Sequence, residues 1–566
     1  MKKLTILFSI SLILLFVGCS KKENANEETK KMENELRALI DNFLADYKPL
    51  EEKANEAYWN ASINSTDSNW ALFASYDMQM NKMFSNKELF QKVKKIKESG
   101  KIQDPVLNQE LTVFYNSLLS KQADTNLLNQ ISKLTSEIEL KYSNFRAIYK
   151  GKKLSDNDVE EILKTSKNSK ELEEVWTAQK EIGKVVADDI LKLVGLRNQL
   201  AKGLGFNNYH EMSLTLSGQN PKEVSALFDE LDKLTHDAFA NLIKEINENI
   251  AKQVNKKPEE LMPWHYQNRF FQEAPKIYEI DLDNYYKNQD IVKLTELYYK
   301  SLNLPPDDIL PQSDLFEKPN KNQHAYCINI NREKRDIRIL CNIKPTSRWM
   351  ETMLHETGHA LYEKYYDQNL PWLLKTPAHI FTTEAVAMIF GRFATNPQWM
   401  LDMKVISPQE KEKIQPITQK ILRMQQLVFS RWAQVMYRFE KALYENPQQD
   451  LNKLWWDLVE KYQMIKRPSN RNMPDWASKI HIATSPCYYH NYLMGELFAS
   501  QMYEFISAKI LNKPNQIVSF YNEPKVGDFF REKIFSVGNK YYWNDMIEKA
   551  TGEKLTAKYF AKQFVN

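Results

Sequence analysis

A mostly α-helical fold is what this sequence predicts, and three observations carry the prediction. Glycine is scarce, 14 in 566 residues. Long stretches place apolar residues three and four apart with charges between them, as in Val224, Leu227, Phe228 and Leu231, and again from Gln409 to Tyr444. Only one segment alternates in the manner of a β-hairpin. With 43% hydrophobic and 12% aromatic residues, the chain has ample material for a large buried core. Lys and Arg number 77 against 73 Asp and Glu, a net charge of only +4. No arginine-rich or Gly-rich phosphate motif accompanies that balance, so nucleic acid is not an expected partner.

The elements follow in order. Lys2 and Lys3 precede an apolar run from Leu4 to Val17, short for a membrane span and of the length of a signal-peptide core. The run closes on Leu15-Phe16-Val17-Gly18-Cys19, which resembles a bacterial lipobox. That resemblance implies removal of residues 1–18 and a lipid on Cys19. It places the mature chain outside the cytoplasm, anchored to the cell envelope. Ser20, in place of an inner-membrane retention Asp, points to the outer membrane. The polar residues that follow, 19–33, are expected to be a flexible tether, and 34–566 a single catalytic unit with no internal linker. The oligomeric state is left open.

The β-hairpin is expected from His324-Ala325-Tyr326-Cys327-Ile328-Asn329-Ile330, a polar turn at 331–334, and Ile337-Arg338-Ile339-Leu340-Cys341. Pairing about its centre brings Cys327 and Cys341 near each other, a candidate disulfide that leaves Cys487 free.

Chemistry enters directly after the hairpin. His355-Glu356-Thr357-Gly358-His359 places two imidazoles at i and i+4, on one helix face, where both can bind one zinc ion. Glu356 projects beside them as a general base. A third ligand is expected at Glu384, in Phe381-Thr382-Thr383-Glu384-Ala385-Val386-Ala387-Met388, because an unpaired carboxylate in so apolar a stretch is costly. Two histidines and one glutamate with an open position form a catalytic zinc site rather than a structural one.

At this point the sequence resembles the angiotensin-converting-enzyme family of zinc dipeptidyl carboxypeptidases, with the thimet-type oligopeptidases a more distant likeness. The motifs are ordered along most of the mature chain. They are Asn60-Ala61-Ser62-Ile63-Asn64, Asp77-Met78-Gln79-Met80, Leu315-Phe316-Glu317-Lys318-Pro319 with His324-Ala325, Trp455-Trp456 with Lys461-Tyr462-Gln463, and Lys479-Ile480-His481-Ile482.

The resemblance implies a large two-lobed helical gluzincin with a deep central channel and a small hairpin beside the zinc. It implies one zinc per chain on His355, His359 and Glu384, with Glu356 as base and then proton donor. His324 and His481 would hydrogen-bond the peptide near the scissile bond, and Ala325 would line the strand that pairs with substrate. Lys479 and Tyr489 would hold the C-terminal carboxylate, and Tyr492 would stabilise the oxyanion. Matching the two tyrosines requires a one-residue insertion after His481, and Tyr488 competes for the role.

Three departures stand out. Val459 and Asn491 replace the family's chloride-binding arginines, so chloride activation is not expected. Met388 stands where the family has an Asp that orients a zinc histidine. The spacing from His359 to Glu384 is one residue longer than in close relatives and matches the oligopeptidase branch. The expected activity is removal of dipeptides from short oligopeptides. The alternatives are thimet-type internal cleavage and a peptide-binding lipoprotein that lacks turnover.

Overall fold

The computed structural model describes the backbone of residues 4–565 and the side chains of residues 26–565. Residues 1–18, expected to be a signal peptide, and Cys19 lie outside the residues whose side chains are described. Among the described residues the chain is mostly helical, with two antiparallel two-stranded sheets. The first sheet pairs β1 (Ala147–Tyr149) with β2 (Lys152–Leu154), and the second pairs β3 (Tyr326–Asn331) with β4 (Asp336–Leu340). No described helix is long and apolar enough to cross a membrane.

Nine helices organise the description below. They are α1 (Leu4–Ile63), α2 (Ile182–Gly203), α3 (Tyr209–Leu216), α4 (Pro221–Val254), α5 (Ser347–Lys364), α6 (Ile380–Gly391), α7 (Pro408–Glu445), α8 (Leu451–Leu458) and α9 (His490–Phe505). One large apolar cluster runs from Leu134 to Phe564 and takes in α2 to α9. A smaller one gathers Leu36, Phe43, Phe114 and Leu118 from the N-terminal helices and closes on Trp372 and Leu373.

The stretch 19–33, expected as a flexible tether, lies within the span of α1. Residues 26–33 already belong to α1, and Glu33 accepts the backbone amides of Gln103 and Asp104, both at 3.0 Å. These amides lie at the start of the helix Pro105–Leu119, where donors lack helical partners and a carboxylate is favoured. The Glu and Lys residues of this stretch read as a solvated run. Their tertiary partner lies some seventy residues downstream and is invisible locally.

Helix α1 continues along the β3–β4 hairpin. Lys48, Glu51, Glu52 and Glu56 meet Glu333, Arg332, Lys334 and Arg338 in turn. The more exposed of these pairs are each worth under about 1 kcal/mol, the Arg332–Glu51 pair being largely buried, and the row fixes the helix against the hairpin in one register. Asn55 adds a side-chain amide bond to the Asn329 carbonyl at 3.1 Å.

The hairpin is where it was expected, but its register is not centred on the two cysteines. Cys327 lies opposite Ile339, and Cys341 falls past the end of β4, where its amide bonds the Asp314 carbonyl at 2.9 Å. Both thiols are free, as is Cys487. The candidate disulfide is therefore not formed: the two cysteines sit diagonally across the pair, and Cys341 is held by its own loop contacts.

Candidate metal centre and substrate cradle

Three helices converge because small residues let them. In α5, a side chain at Gly358 would meet the Ala387 backbone of α6 at 3.2 Å. In α9, one at Gly495 would meet the Met388 sulfur at 3.1 Å and the Glu384 side chain at 3.4 Å. Overpacking of this order forces helices apart, so these two glycines permit the close approach of α5, α6 and α9.

At that junction His355 and His359 of α5 face Glu384 of α6. Their Nε2 atoms are 3.2 Å apart, and a Glu384 carboxylate oxygen lies 3.7 and 3.8 Å from them. Among the described residues these three form a group able to hold a metal ion. A point equidistant from the three donors lies about 2.1 Å from each, the length of a Zn–N or Zn–O bond.

The chemistry of the donors agrees. Burial holds His355 neutral, its pKa lowered to about 4, and burial with the neighbouring imidazole lowers His359 further. Burial, then the charge of Glu496, pushes Glu384 up to about 7. A cation among the three would find neutral imidazoles with free lone pairs and would bring Glu384 back to its ionised form. The residues therefore fit a zinc ion.

Met388, at the position of the family's orienting Asp, packs its sulfur against Gly495 and offers no hydrogen-bond acceptor of a carboxylate's strength. Thr383 does that work instead: its hydroxyl lies 2.7 Å from His359 Nδ1. An Nδ1–H donating to this oxygen leaves the Nε2 lone pair free for metal. The signal was in the sequence, since Thr383 is a hydroxyl beside the ligand in an apolar helix.

Glu356 is buried beside the ligands. Burial, then the Glu384 charge, raises its pKa to about 8, while a hydrogen bond from the Cys327 backbone amide opposes the rise. Two turns along the same helix, Glu363 accepts the Asn329 side chain at 3.0 Å. Strand β3 is thereby fastened along α5 by residues two apart. His324 and Ala325 immediately precede β3, with His324 exposed and Ala325 half-buried. They stand near Glu356 in the chain's path, and no side-chain bond ties His324 to the metal ligands.

The C-terminal residues form one continuous wall. Lys479 is buried, and its ammonium donates to Gln272 at 2.5 Å while facing the rings of Phe270, Trp432 and Tyr489 at 5.3, 5.4 and 5.3 Å. No carboxylate among the described residues pairs with it. Burial, then the charge of Arg269, lowers its pKa to about 7.

The ring of Tyr489 lies 5.2 Å from that of His481 and 5.4 Å from that of Tyr492. Burial lowers His481 to about 4, and its Nδ1 has no partner within the protein. Burial and the nearby Glu384 charge both raise Tyr492, and the same two causes act on Tyr488. The structure thus joins Lys479, His481, Tyr489 and Tyr492 to the metal ligands. It adds Gln272, which no local pattern in the sequence distinguished.

Ahead of these tyrosines Cys487 adopts a left-handed conformation at φ +54°. Its amide is fixed by the buried Glu440 carboxylate at 2.9 Å. Asn491 accepts a hydrogen bond from Gln219 at 2.8 Å, and Val459 is buried in an aromatic-lined pocket. Neither supplies a positive charge.

Residues 30–565 match the model of peptidase family M2, described as angiotensin-converting enzyme. No curated protein matches the chain.

Proposed function

The chain belongs to the angiotensin-converting enzyme family, a family of metallopeptidases. From that premise we propose that it is a zinc peptidase that releases dipeptides from the free C-terminus of short oligopeptides. We also propose that it is exported and tethered to the cell envelope by a lipid on Cys19. The lipobox-like Leu15-Phe16-Val17-Gly18-Cys19 supports the second proposal.

His355, His359 and Glu384 would hold the metal. A zinc ion there supplies polarisation of the scissile carbonyl and acidifies the attacking water. Glu356 takes the proton of that water and passes it to the leaving amine, held in place by the Cys327 amide. Tyr492 stays protonated, because burial and Glu384 both oppose its ionisation, and donates its phenol hydrogen to the oxyanion. His481 and His324 hydrogen-bond the peptide on either side of the scissile bond. The backbone at Ala325 pairs with an extended substrate at the free end of β3.

The observation that carries the exopeptidase reading is the unpartnered ammonium of Lys479. A buried ammonium that donates to an amide oxygen among aromatic faces, with Glu273 and Glu160 acting on it only from beyond ion-pair distance, lacks a direct counter-ion. A peptide's terminal carboxylate supplies one, with Gln272 and Tyr489 as neighbouring hydrogen-bond donors.

The thimet-type reading rests on the longer spacing between His359 and Glu384. Paired peptides that differ only in a free or amidated C-terminus separate the two. Exopeptidase action predicts cleavage of the acid and little of the amide, and predicts that Lys479→Ala narrows the difference by slowing the acid. Equal cleavage of both peptides transfers the protein to the endo-acting reading.

A further inference from the structure

Tyr489 and Tyr492 sit at the start of α9, a helix that opens with no side-chain cap of its own. The turn between α3 and α4 meets it there. Gln219 is buried, and its amide bridges two consecutive residues of the first turn of α9. Gln219 Oε1 is 2.7 Å from His490 Nε2, and Gln219 Nε2 donates to Asn491 Oδ1 at 2.8 Å. His490 and Asn491 are the two residues between the tyrosines.

The same turn also reaches the metal-ligand helix. His379 caps α6 by accepting the Phe381 amide at 3.3 Å on Nδ1, and its ring bonds the Ser217 backbone. The turn itself is anchored. The Gln219 amide bonds the Leu214 carbonyl at 2.8 Å, and Gly218, at φ +86°, accepts the Trp543 indole at 3.1 Å. The turn 217–220 thus ties together the N-termini of the helix bearing Thr383 and Glu384 and the helix bearing Tyr492.

We propose that Gln219 is a positioning residue: its side-chain amide sets the first turn of α9 so that the Tyr492 phenol meets the oxyanion above the metal ligands. The inference rests on the proposed peptidase function. Gln219 touches neither substrate nor ligand. Its removal leaves a buried His490 N–H and Asn491 carbonyl unpaired, and these reorient the turn that carries the phenol. Displacement of a reacting group by about 1 Å costs up to about 100-fold in rate.

The test compares Gln219→Leu, Asn491→Leu and the double variant with the parent protein. The measurements are kcat and KM on a short free-acid peptide, zinc content, and inhibition by a phosphinic peptide whose tetrahedral phosphorus mimics the oxyanion. The expected result is a fall in kcat of about 10- to 100-fold with KM and zinc content held. Phosphinic affinity falls in parallel, and the double variant is no worse than Gln219→Leu, because the one bond lost in Asn491→Leu is among the two that Gln219→Leu already removes. An unchanged kcat, or equal losses in KM, zinc and kcat, overturns the proposal.

Should Gln219→Leu fail to fold, Asn491→Ala removes one of the two bonds and is judged by the same criteria. A readout free of turnover separates this inference from the function it rests on. Fluorotyrosine placed at 492 gives a ¹⁹F resonance that is expected to shift or broaden in Gln219→Leu and Asn491→Ala. A resonance unmoved in both overturns the clamp. A parent protein that cleaves no peptide while the resonance moves overturns the function and leaves the clamp standing.

Discussion

His359 Nδ1 lies 2.7 Å from the Thr383 hydroxyl, so a candidate metal-holding imidazole on α5 is tied to the residue next to Glu384 on α6. The two helices therefore share one ligand-orienting bond, in place of the carboxylate that Met388 cannot supply. Thr383→Val removes the acceptor and keeps the shape. Zinc affinity, read by competition with a calibrated chelator, is expected to weaken by about 10- to 100-fold. Thr383→Ser should retain most of it. Undiminished affinity in the Val variant would remove the orienting role.

Tyr492 and Tyr488 both feel the Glu384 charge, and their rings are 5.4 Å apart in an edge-on arrangement. Only Tyr492 is also in ring contact with Tyr489 beside Lys479. Steady-state kinetics on a short peptide should show a kcat loss of about 100- to 1000-fold in Tyr492→Phe, with little change in KM. Tyr488→Phe should cost far less. The reverse order would assign the oxyanion donor to Tyr488.

Lys479 carries a pH prediction whose sign follows from its depressed pKa of about 7. A cation with a lowered pKa is charged below that value and neutral above it. Capture of a carboxylate by the free enzyme is therefore strongest below pH 7 and declines above it. On free-acid peptides kcat/KM should fall with an alkaline limb near pH 7, carried by KM. Lys479→Arg, which stays charged, should lose that limb. An alkaline limb of the same midpoint in the Arg variant would assign it to another group.

The grouping of His355, His359 and Glu384, able to hold a metal ion, was legible in the sequence because it is built from local rules. Histidines at i and i+4 share a helix face whatever surrounds them, and Glu384 stood out as a lone carboxylate among apolar residues. The helical fold and the hairpin were legible for the same reason of periodicity. What failed depends on register and on distant partners. Cys327 and Cys341 look paired until the strand alignment places Ile339 opposite Cys327. Glu33 looks solvated until the Gln103 and Asp104 amides are found on it. Gln272 and Gln219 are unremarkable amides in the sequence, and each acquires meaning only from a residue more than two hundred positions away.

The central claim is metal-dependent release of C-terminal dipeptides by Glu356. Its most direct test is mass spectrometry of a ten-residue free-acid peptide incubated with the soluble chain that begins after Cys19. Zinc-replete protein, chelator-treated protein and zinc-loaded Glu356→Gln are compared. The account predicts a ladder of products shortened by successive dipeptides in the first sample only, with Glu356→Gln slowed by about 100- to 10,000-fold at full zinc content. Internal cuts, cleavage that survives the chelator, or a Glu356→Gln variant as active as the parent would contradict it.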